Sequence, residues 1–238
     1  MSQKPFIFKQ FTISQNQCAM KIGTDAVLLG AWTRVTQNPI SILDIGAGTG
    51  ILAIMLAQRT SAELIDALEM DAQAFEQCVD NFENAPWSDR LFCYHVSLEA
   101  FVDEIEDQYE LIISNPPYYS EDYKTDNKQR DLARFTDALP AEHLLYSVSK
   151  LLSKNGIFSV VIPFKDEKSF IASASNYGLF VNRICHVKGH SNAAIKRSLL
   201  EFSFHDSQLI KEELVIETGR HEYTKEYINL TKDFYLKM

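Results

Sequence analysis

Short apolar runs alternate with segments of helical periodicity along most of the chain, from Ser41 onward. This alternation is typical of β–α units that build a mostly parallel sheet. The apolar runs predict strands at residues 42–45, 63–69, 91–96, 109–114 and 157–162. The periodic segments between and after them predict helices at residues 51–58, 72–83, 98–104, 139–152 and 165–177. The sequence therefore predicts an α/β fold, with ligands bound at the carboxyl ends of the strands.

The two ends of the chain depart from this alternation. Runs 180–187 and 198–204 are joined by a stretch containing glycine and asparagine, and they predict an antiparallel hairpin that ends the sheet. Residues 1–38 predict a short N-terminal appendage in which Thr24 or Asp25 caps a helix, and residues 39–238 form the main domain. Asn155 and Gly156 are typical of a C-terminal cap and predict the end of the helix before them.

Length and composition limit the class of protein. The 238 residues, of which 46% are hydrophobic, fit one α/β domain. No apolar run reaches the length of a membrane span, and the N-terminus lacks the continuous apolar stretch of a signal peptide, so we expect a cytoplasmic protein. Cys18, Cys78, Cys93 and Cys185 are widely spaced without a CxxC pair. This spacing predicts neither a metal site nor a disulfide framework.

Charge is unevenly distributed along the chain. The net charge of −9 argues against a nucleic-acid partner, because neutralisation of phosphates supplies most non-specific binding. The acidic side chains are concentrated in residues 39–118, which carry fifteen of them against two basic ones. Arg183, Lys188, Lys196 and Arg197 lie in a stretch that has no acidic residue. Both a local basic surface and ordinary solvated cations agree with this pattern.

A glycine-rich loop, Asp44-Ile45-Gly46-Ala47-Gly48-Thr49-Gly50, follows the first predicted strand. Gly46, Gly48 and Gly50 allow a tight turn and the close approach of a ligand. The loop lacks the Lys-Ser/Thr pair of a phosphate-binding loop, and its spacing differs from the dinucleotide motif GxGxxG. Asp44 would repel a pyrophosphate. It suits a ligand with an ammonium group, such as the amino-acid end of S-adenosylmethionine.

Glu69 ends the second predicted strand and is a further candidate for a cofactor site. Its carboxylate can accept hydrogen bonds from both hydroxyls of a ribose. Asp71 competes for this role, but its position at the start of the next helix favours capping. A solvated acid at the strand end is the alternative interpretation of Glu69.

The most specific element is Asn115-Pro116-Pro117-Tyr118, which follows the fourth predicted strand. The two prolines fix the backbone and leave the Pro116 carbonyl without a local N–H competitor. An exocyclic amine is a poor nucleophile because its lone pair is delocalised. The Asn115 side-chain oxygen and the Pro116 carbonyl can accept its two N–H bonds and redirect that lone pair, while Tyr118 offers a face for stacking. A rigid turn is the alternative interpretation.

On these motifs, residues 41–163 resemble the class I, Rossmann-like methyltransferases that use S-adenosylmethionine, and residues 115–118 resemble their amino-methylating subgroup. The resemblance implies S-adenosylmethionine as the cofactor and an exocyclic amine of adenine, cytosine or guanine, or a glutamine amide, as the acceptor. It also implies an acidic partner for the cofactor's adenine after the third strand. This sequence has Ser97 there, which becomes the candidate for that position.

Residues 8–11 and 18–32 resemble the bacterial tRNA1(Val) (adenine(37)-N6)-methyltransferase family, and the match extends to residues 114–119 and 234–236. This resemblance implies a tRNA partner and methylation of adenine N6 at position 37 of a valine tRNA. It further implies that Lys21, Gly23, Thr24 and Asp25 close over the cofactor or shape the acceptor entrance.

The side chains expected to contact the RNA backbone are basic: Lys9, Lys21, Arg130, Arg134, Lys196 and Arg197. A protein glutamine N5-methyltransferase is the alternative enzyme, but such enzymes carry a separate helical N-terminal domain, and only about 40 residues precede the first strand here. A non-catalytic RNA-binding module is a third hypothesis. We expect a monomer.

Overall fold

A computed structural model describes residues 4–117 and 139–237. The strands are β1 (Phe6–Ile7), β2 (Thr12–Ile13), β3 (Ser41–Ile45), β4 (Leu64–Glu69), β5 (Leu91–His95), β6 (Tyr109–Ser114), β7 (Leu152–Pro163), β8 (Phe180–His190), β9 (Arg197–Ser203), β10 (Ile210–Gly219) and β11 (Glu222–Tyr223). The helices are α1 (Thr24–Trp32), α2 (Ile51–Arg59), α3 (Ala72–Glu83), α4 (Leu98–Glu104), α5 (Ala141–Leu151), α6 (Glu167–Ser175) and α7 (Lys225–Thr231). In these two ranges, no helix has the length and apolarity needed to cross a membrane.

The central sheet has the strand order β11-β10-β8-β9-β7-β6-β3-β4-β5. Neighbours from β7 to β5 in this order are parallel, whereas β9 is antiparallel to both β7 and β8. From β3 the chain proceeds outward to β4 and β5, and then returns to the other side of β3 to form β6 and β7. The order therefore reverses between β3 and β6. At such a switch point a crevice opens at the carboxyl ends of the strands.

Both faces of the sheet are covered by apolar packing, because successive side chains of a strand point to opposite faces. Leu111 and Ile113 of β6 belong to one core cluster with α1 and α2. Ile112, between them, belongs to a second cluster with α4, α5 and α6. The predicted α/β fold is confirmed, and the two covered faces leave the strand ends as the exposed rim of the sheet.

The helix α3 shows how local signals fix an element. Its apolar residues Ala74, Cys78 and Phe82 recur at intervals of four, so they share the buried face. Asp71 caps the first turn by accepting a hydrogen bond from the Ala74 amide at 2.8 Å. The predicted bounds, 72–83, and the capping role of Asp71 are both confirmed.

The start of α1 differs from the prediction. Gly23 occupies the N-cap position with an extended backbone, and no side chain caps the helix. Thr24 and Asp25 lie inside the first turn, so the prediction that one of them is the cap was wrong. The Asp25 carboxylate instead accepts a hydrogen bond from Arg197 Nε at 2.7 Å. An acid in a first turn is also favoured by the helix dipole.

Two predictions in the C-terminal half were also wrong. Asn155 and Gly156 do not cap a helix, because α5 ends at Leu151 and Leu152 already has the extended backbone with which β7 begins. The antiparallel hairpin of β8 and β9 is confirmed, but it does not end the sheet. Strand β10 pairs with β8 in parallel, and β11 pairs with β10.

Segments from near the two ends of the chain pair with each other. Phe8 forms an isolated antiparallel bridge with Tyr235, and the Lys9 amide donates to the Phe234 carbonyl at 2.8 Å. The Lys9 ammonium donates to the Lys232 carbonyl. Phe8 and Phe234 join the same core cluster as α1 and α2. The boundary at residue 38 therefore stays a prediction, although residues on both sides of it share one core.

Candidate active site

The glycine loop follows β3. The segment that begins at Asn115, called the acceptor loop from here on, follows the neighbouring strand β6, so both begin at the switch point. Ile45 of β3 and Ser114 of β6 are paired in register, so Gly46 and Asn115 are the next residues on adjacent strands. The Ser114 hydroxyl, fully buried, donates to the Ile45 carbonyl at 2.8 Å and fixes the two strand ends together. Paired strands lie about 4.8 Å apart. The structure therefore brings the two predicted motifs to the same crevice.

The backbone of the glycine loop is held by the end of β4. The amides of Gly46 and Ala47 both donate to the Leu68 carbonyl at 3.0 Å. The Gly48 amide donates to Glu69 Oε2 at 2.8 Å. Gly48 has φ +55°, a left-handed conformation that glycine adopts without strain, and a Cβ there would meet no atom within 4 Å. The loop backbone is therefore held by the end of β4, and space remains beside Gly48 for a ligand.

Gly50 is required for packing, and its predicted contact with the cofactor stays a prediction. Its φ is +77°, and a Cβ at this position would lie 2.5 Å from Phe82 Cε1 and 2.8 Å from Cys78 Sγ. The start of α2 thus packs directly against α3, and any larger residue would separate the two helices.

Asp44 lies beneath the loop and is fully buried. Its Oδ2 accepts a hydrogen bond from the Ala53 amide in α2 at 3.1 Å, while Oδ1 has no hydrogen-bond partner among the described residues. Burial, with a contribution from the nearby Glu69 carboxylate, raises the pKa of Asp44 to about 7. An orphaned buried carboxylate oxygen fits a site that receives a cation, and direct contact between Asp44 and an ammonium group stays a prediction.

Glu69, at the end of β4, is 9% exposed and contacts the glycine loop. Its two oxygens accept hydrogen bonds from the Gly48 amide at 2.8 Å and from the Asp71 amide at 2.9 Å. Each carboxylate oxygen has a second lone pair. Glu69 can therefore still accept hydrogen bonds from the two hydroxyls of a ribose.

Ser97 follows β5 on the same rim, as predicted, but its hydroxyl caps α4 by accepting from the Ala100 amide at 3.2 Å. Its role toward the cofactor stays a prediction. Sequence reasoning missed Met70, which follows Glu69 and is 56% exposed. An exposed thioether beside the loop offers the apolar surface that a planar base packs against.

The acceptor loop is described as far as Pro117. Asn115 is half-buried and Pro116 is buried, directly after the fully buried Ser114. The predicted residues Tyr118, Arg130 and Arg134 lie outside the described residues.

The predicted RNA contacts in the described ranges differ in their surroundings. Lys21, predicted to contact both the RNA and the cofactor, is exposed near the start of α1, as is Thr24, which was predicted to contact the cofactor only. Lys196 is exposed and, within residues 4–117 and 139–237, forms no ion pair. Arg197 pairs with Asp25, and the Lys9 ammonium is bonded to a backbone carbonyl.

Acidic residues of β10 neutralise part of the predicted basic stretch. Arg183 pairs with Glu212 at 2.9 Å, and Lys188 pairs with Glu213 at 2.8 Å. Because β10 was not predicted, this pairing was invisible in the sequence. Arg197 is also paired, with Asp25, so among the four basic residues of the stretch Lys196 is the one that forms no ion pair with the described residues.

Sequence reasoning also missed Gln77 and Asn81, two amides on the face of α3 that is directed toward the glycine loop. They are 2% and 3% exposed. Asn81 Nδ2 donates to the Thr49 carbonyl at 2.9 Å. In a sequence, the polar residues of an amphipathic helix are assigned to its solvated face, and Gln77 and Asn81 are exceptions to this rule. Their positions directly before the buried Cys78 and Phe82 were the sequence signal of their burial.

The four cysteines carry free thiols, two of them buried. No group of three or more metal-ligating side chains occurs in the part of the chain that the structure describes.

These features define the class. Residues 21–167 match the model of the methyltransferase small domain family. The fold is similar to that of a predicted O-methyltransferase from Agrobacterium tumefaciens, with a TM-score of 0.68, 19% identity, and 88% and 96% of the two chains covered. With the glycine loop, Glu69 and the acceptor loop on one rim, the chain is a Rossmann-like methyltransferase that uses S-adenosylmethionine.

Two curated relatives narrow the class. A tRNA1(Val) (adenine(37)-N6)-methyltransferase of Flavobacterium psychrophilum is 60% identical over 98% of this chain and 100% of its own. One of Christiangramia forsetii is 55% identical over 100% of both chains. The chain belongs to the tRNA1(Val) (adenine(37)-N6)-methyltransferase family.

Proposed function

We propose that the protein transfers a methyl group from S-adenosylmethionine to N6 of the adenosine at position 37 of tRNA1(Val). The observation that carries this proposal is the juxtaposition of Gly46 and Asn115 on paired strands at the switch point. This supports a reaction in which the glycine loop holds the cofactor and the segment from Asn115 binds the acceptor amine in one crevice. Relatives named for this reaction are 55–60% identical over essentially the whole chain, which supports the choice of acceptor.

The residues that would hold the cofactor surround the glycine loop. Asp44 would complement its ammonium group from beneath, and Glu69 would accept hydrogen bonds from its ribose hydroxyls. Met70 and Ser97 would border its adenine. When bound, S-adenosylmethionine supplies a methyl group on a cationic sulfur.

The acceptor loop prepares the amine. The lone pair of adenine N6 is delocalised into the ring, so the amine must be polarised to react. The Asn115 side-chain oxygen and the Pro116 carbonyl would accept hydrogen bonds from its two N–H groups, which localises the lone pair on N6 instead of in the ring. The buried Ser114–Ile45 hydrogen bond keeps these acceptors in place beside the glycine loop. Positioning and charge redistribution would supply the rate without a general base, because the N6 proton becomes acidic as the new C–N bond forms and can then pass to solvent.

The RNA would approach the rim that carries Lys21, Lys196 and Arg197. An unstacked base is easily turned out of an anticodon loop, so the crevice receives it without opening a duplex. A tRNA-modifying activity also implies that the protein works in the cytoplasm.

The test is transfer of labelled methyl from S-adenosylmethionine to an unmodified tRNA1(Val) transcript, with mass spectrometry of the nucleosides. We expect N6-methyladenosine, and no product on a matched transcript that has guanosine at position 37. Product on the guanosine transcript would show a different target base. Absence of product with intact cofactor binding would redirect the search to other RNAs and to glutamine-bearing proteins.

A further inference from the structure

A segment of the N-terminal chain lies along the glycine loop, held by one buried amide. Asn81 Oδ1 accepts from the Ser14 amide at 2.8 Å, and Asn81 Nδ2 donates to the Ser14 carbonyl at 2.9 Å. The same Nδ2 donates to the Thr49 carbonyl at 2.9 Å. Thr49 belongs to the glycine loop. One side chain of α3 therefore binds the N-terminal segment and the loop together.

Gln77 holds the segment one helical turn earlier. Its Oε1 accepts from the amides of Asn16 and Gln17 at 3.2 and 3.3 Å. Residues four apart lie on the same face of a helix, so Gln77 and Asn81 act on consecutive parts of the segment. Gln77 does not touch the glycine loop through these bonds, which separates its effect from that of Asn81.

Cys18, further along the same segment, is half-buried and carries a free thiol. Burial, followed by the negative charges of Glu69 and Asp71, raises the pKa of the Cys18 thiol to about 12. The thiol therefore stays protonated at neutral pH. Beyond it, Gln15 Oε1 accepts from the Ile22 amide at 3.1 Å, which bends the segment back toward the start of α1.

We propose that Asn81 and Gln77 are positioning residues of the cofactor site, because they hold residues 14–21, the N-terminal strap, against the glycine loop. Ser14, at the start of the strap, and Thr49 of the glycine loop bond to the same Asn81 side chain, so the strap begins beside the loop whose Gly48 amide donates to Glu69. This inference rests on the cofactor assigned in the proposed function. It goes beyond it because none of the three side chains, Gln77, Asn81 and Cys18, belongs to the predicted cofactor set.

The probe is S-adenosylhomocysteine, without tRNA, measured by calorimetry on the full chain. Asn81→Ala removes three hydrogen bonds, and we expect about tenfold or more weaker binding. Gln77→Ala should weaken binding several-fold through the strap alone. Asn84→Ala is the matched control, because Asn84 is exposed on the same helix and its amide bonds only to the Asp80 carbonyl. It should bind the ligand as the wild type does.

Hydrogen exchange at residues 14–21 provides a second readout that does not depend on the variants. The ligand should slow exchange of these amides in the wild type, and Gln77→Ala and Asn81→Ala should accelerate it without the ligand. If Asn81→Ala weakens binding and Gln77→Ala does not, the effect comes from the Asn81–Thr49 hydrogen bond, and the proposed role of the strap is overturned. If the ligand leaves the exchange of residues 14–21 in the wild type unchanged, the proposal is also overturned. This result can be obtained even when Asn81→Ala does not fold.

The outcomes also separate this inference from the proposed function. A wild-type protein that binds S-adenosylhomocysteine and protects the strap, but methylates no tRNA, would support the strap and refute the proposed acceptor. A wild-type protein that does not bind S-adenosylhomocysteine would refute both.

Discussion

Asp44 makes the stability of the protein depend on pH in a direction that can be calculated. Burial raises its pKa from 3.8 in a model peptide to about 7. Between these two values the folded state holds a proton that the unfolded chain has lost. The free energy of unfolding therefore falls as the pH rises through this interval, and it becomes level above pH 7. One proton corresponds to about 1.4 kcal/mol per pH unit, so the loss between pH 5 and pH 8 is about 3 kcal/mol.

The assay is urea denaturation of the wild type and of Asp44→Asn at pH 5, 6, 7 and 8 without cofactor. Asparagine keeps an oxygen that can accept from the Ala53 amide but has no proton to lose. Subtracting the two curves cancels the titration of every other group. We expect the wild type to lose about 3 kcal/mol relative to the variant across this range. Two parallel curves would refute the assignment of a raised pKa to Asp44.

Three further perturbations test other parts of the structure. Asn115→Ala should leave the calorimetric affinity for S-adenosylhomocysteine within about twofold and reduce turnover of tRNA by at least about 100-fold, because it removes one polarising acceptor; equal turnover would exclude the proposed grip. Lys196→Glu should weaken tRNA binding and flatten its salt dependence, measured by fluorescence anisotropy at several ionic strengths, and an unchanged slope would remove Lys196 from the interface. Gly50→Ala should cost about 3 kcal/mol of unfolding free energy from backbone strain and from the clash with Phe82 and Cys78. Gly178→Ala, with a similar φ of +71° and open space around its Cβ, should cost only about 1 kcal/mol, and equal costs would remove the clash.

The parts of the fold that could be predicted are those with local signals. The bounds of α3, α4 and β6 agree with the sequence because caps, turns and apolar periods coincide there. Strand β10 was missed because its first residues, Ile210 to Glu213, are exposed and mostly charged, so no apolar period marks them. Its charges become understandable only when β8 lies beside it and supplies Arg183 and Lys188 as partners.

The candidate site shows the same division. Asp44, Glu69 and Asn115 were found because each follows a recognisable strand, and parallel strands bring their carboxyl ends to one rim. Gln77 and Asn81 were not found, because their partners lie more than 60 residues away along the chain for the strap and about 30 for the loop. The cap of α1 was assigned to the wrong residue because Gly23 fits this position through its backbone, which leaves Thr24 and Asp25 free for other contacts.

The pairing of Phe8 and Lys9 with residues 232–235 has a consequence for synthesis on the ribosome. The partners in the bond between Lys9 and Lys232 are 223 positions apart. Lys9 leaves the exit tunnel 223 residues before Lys232 does, so residues 8 and 9 emerge long before these partners. During that interval the Phe8 ring lacks Tyr235, on which it stacks in the folded protein, and has Phe11 as its early-emerging stacking partner. The nascent chain therefore carries an incomplete N-terminal region, and the segment that follows it gains its final anchor only after residues 232–235 have emerged.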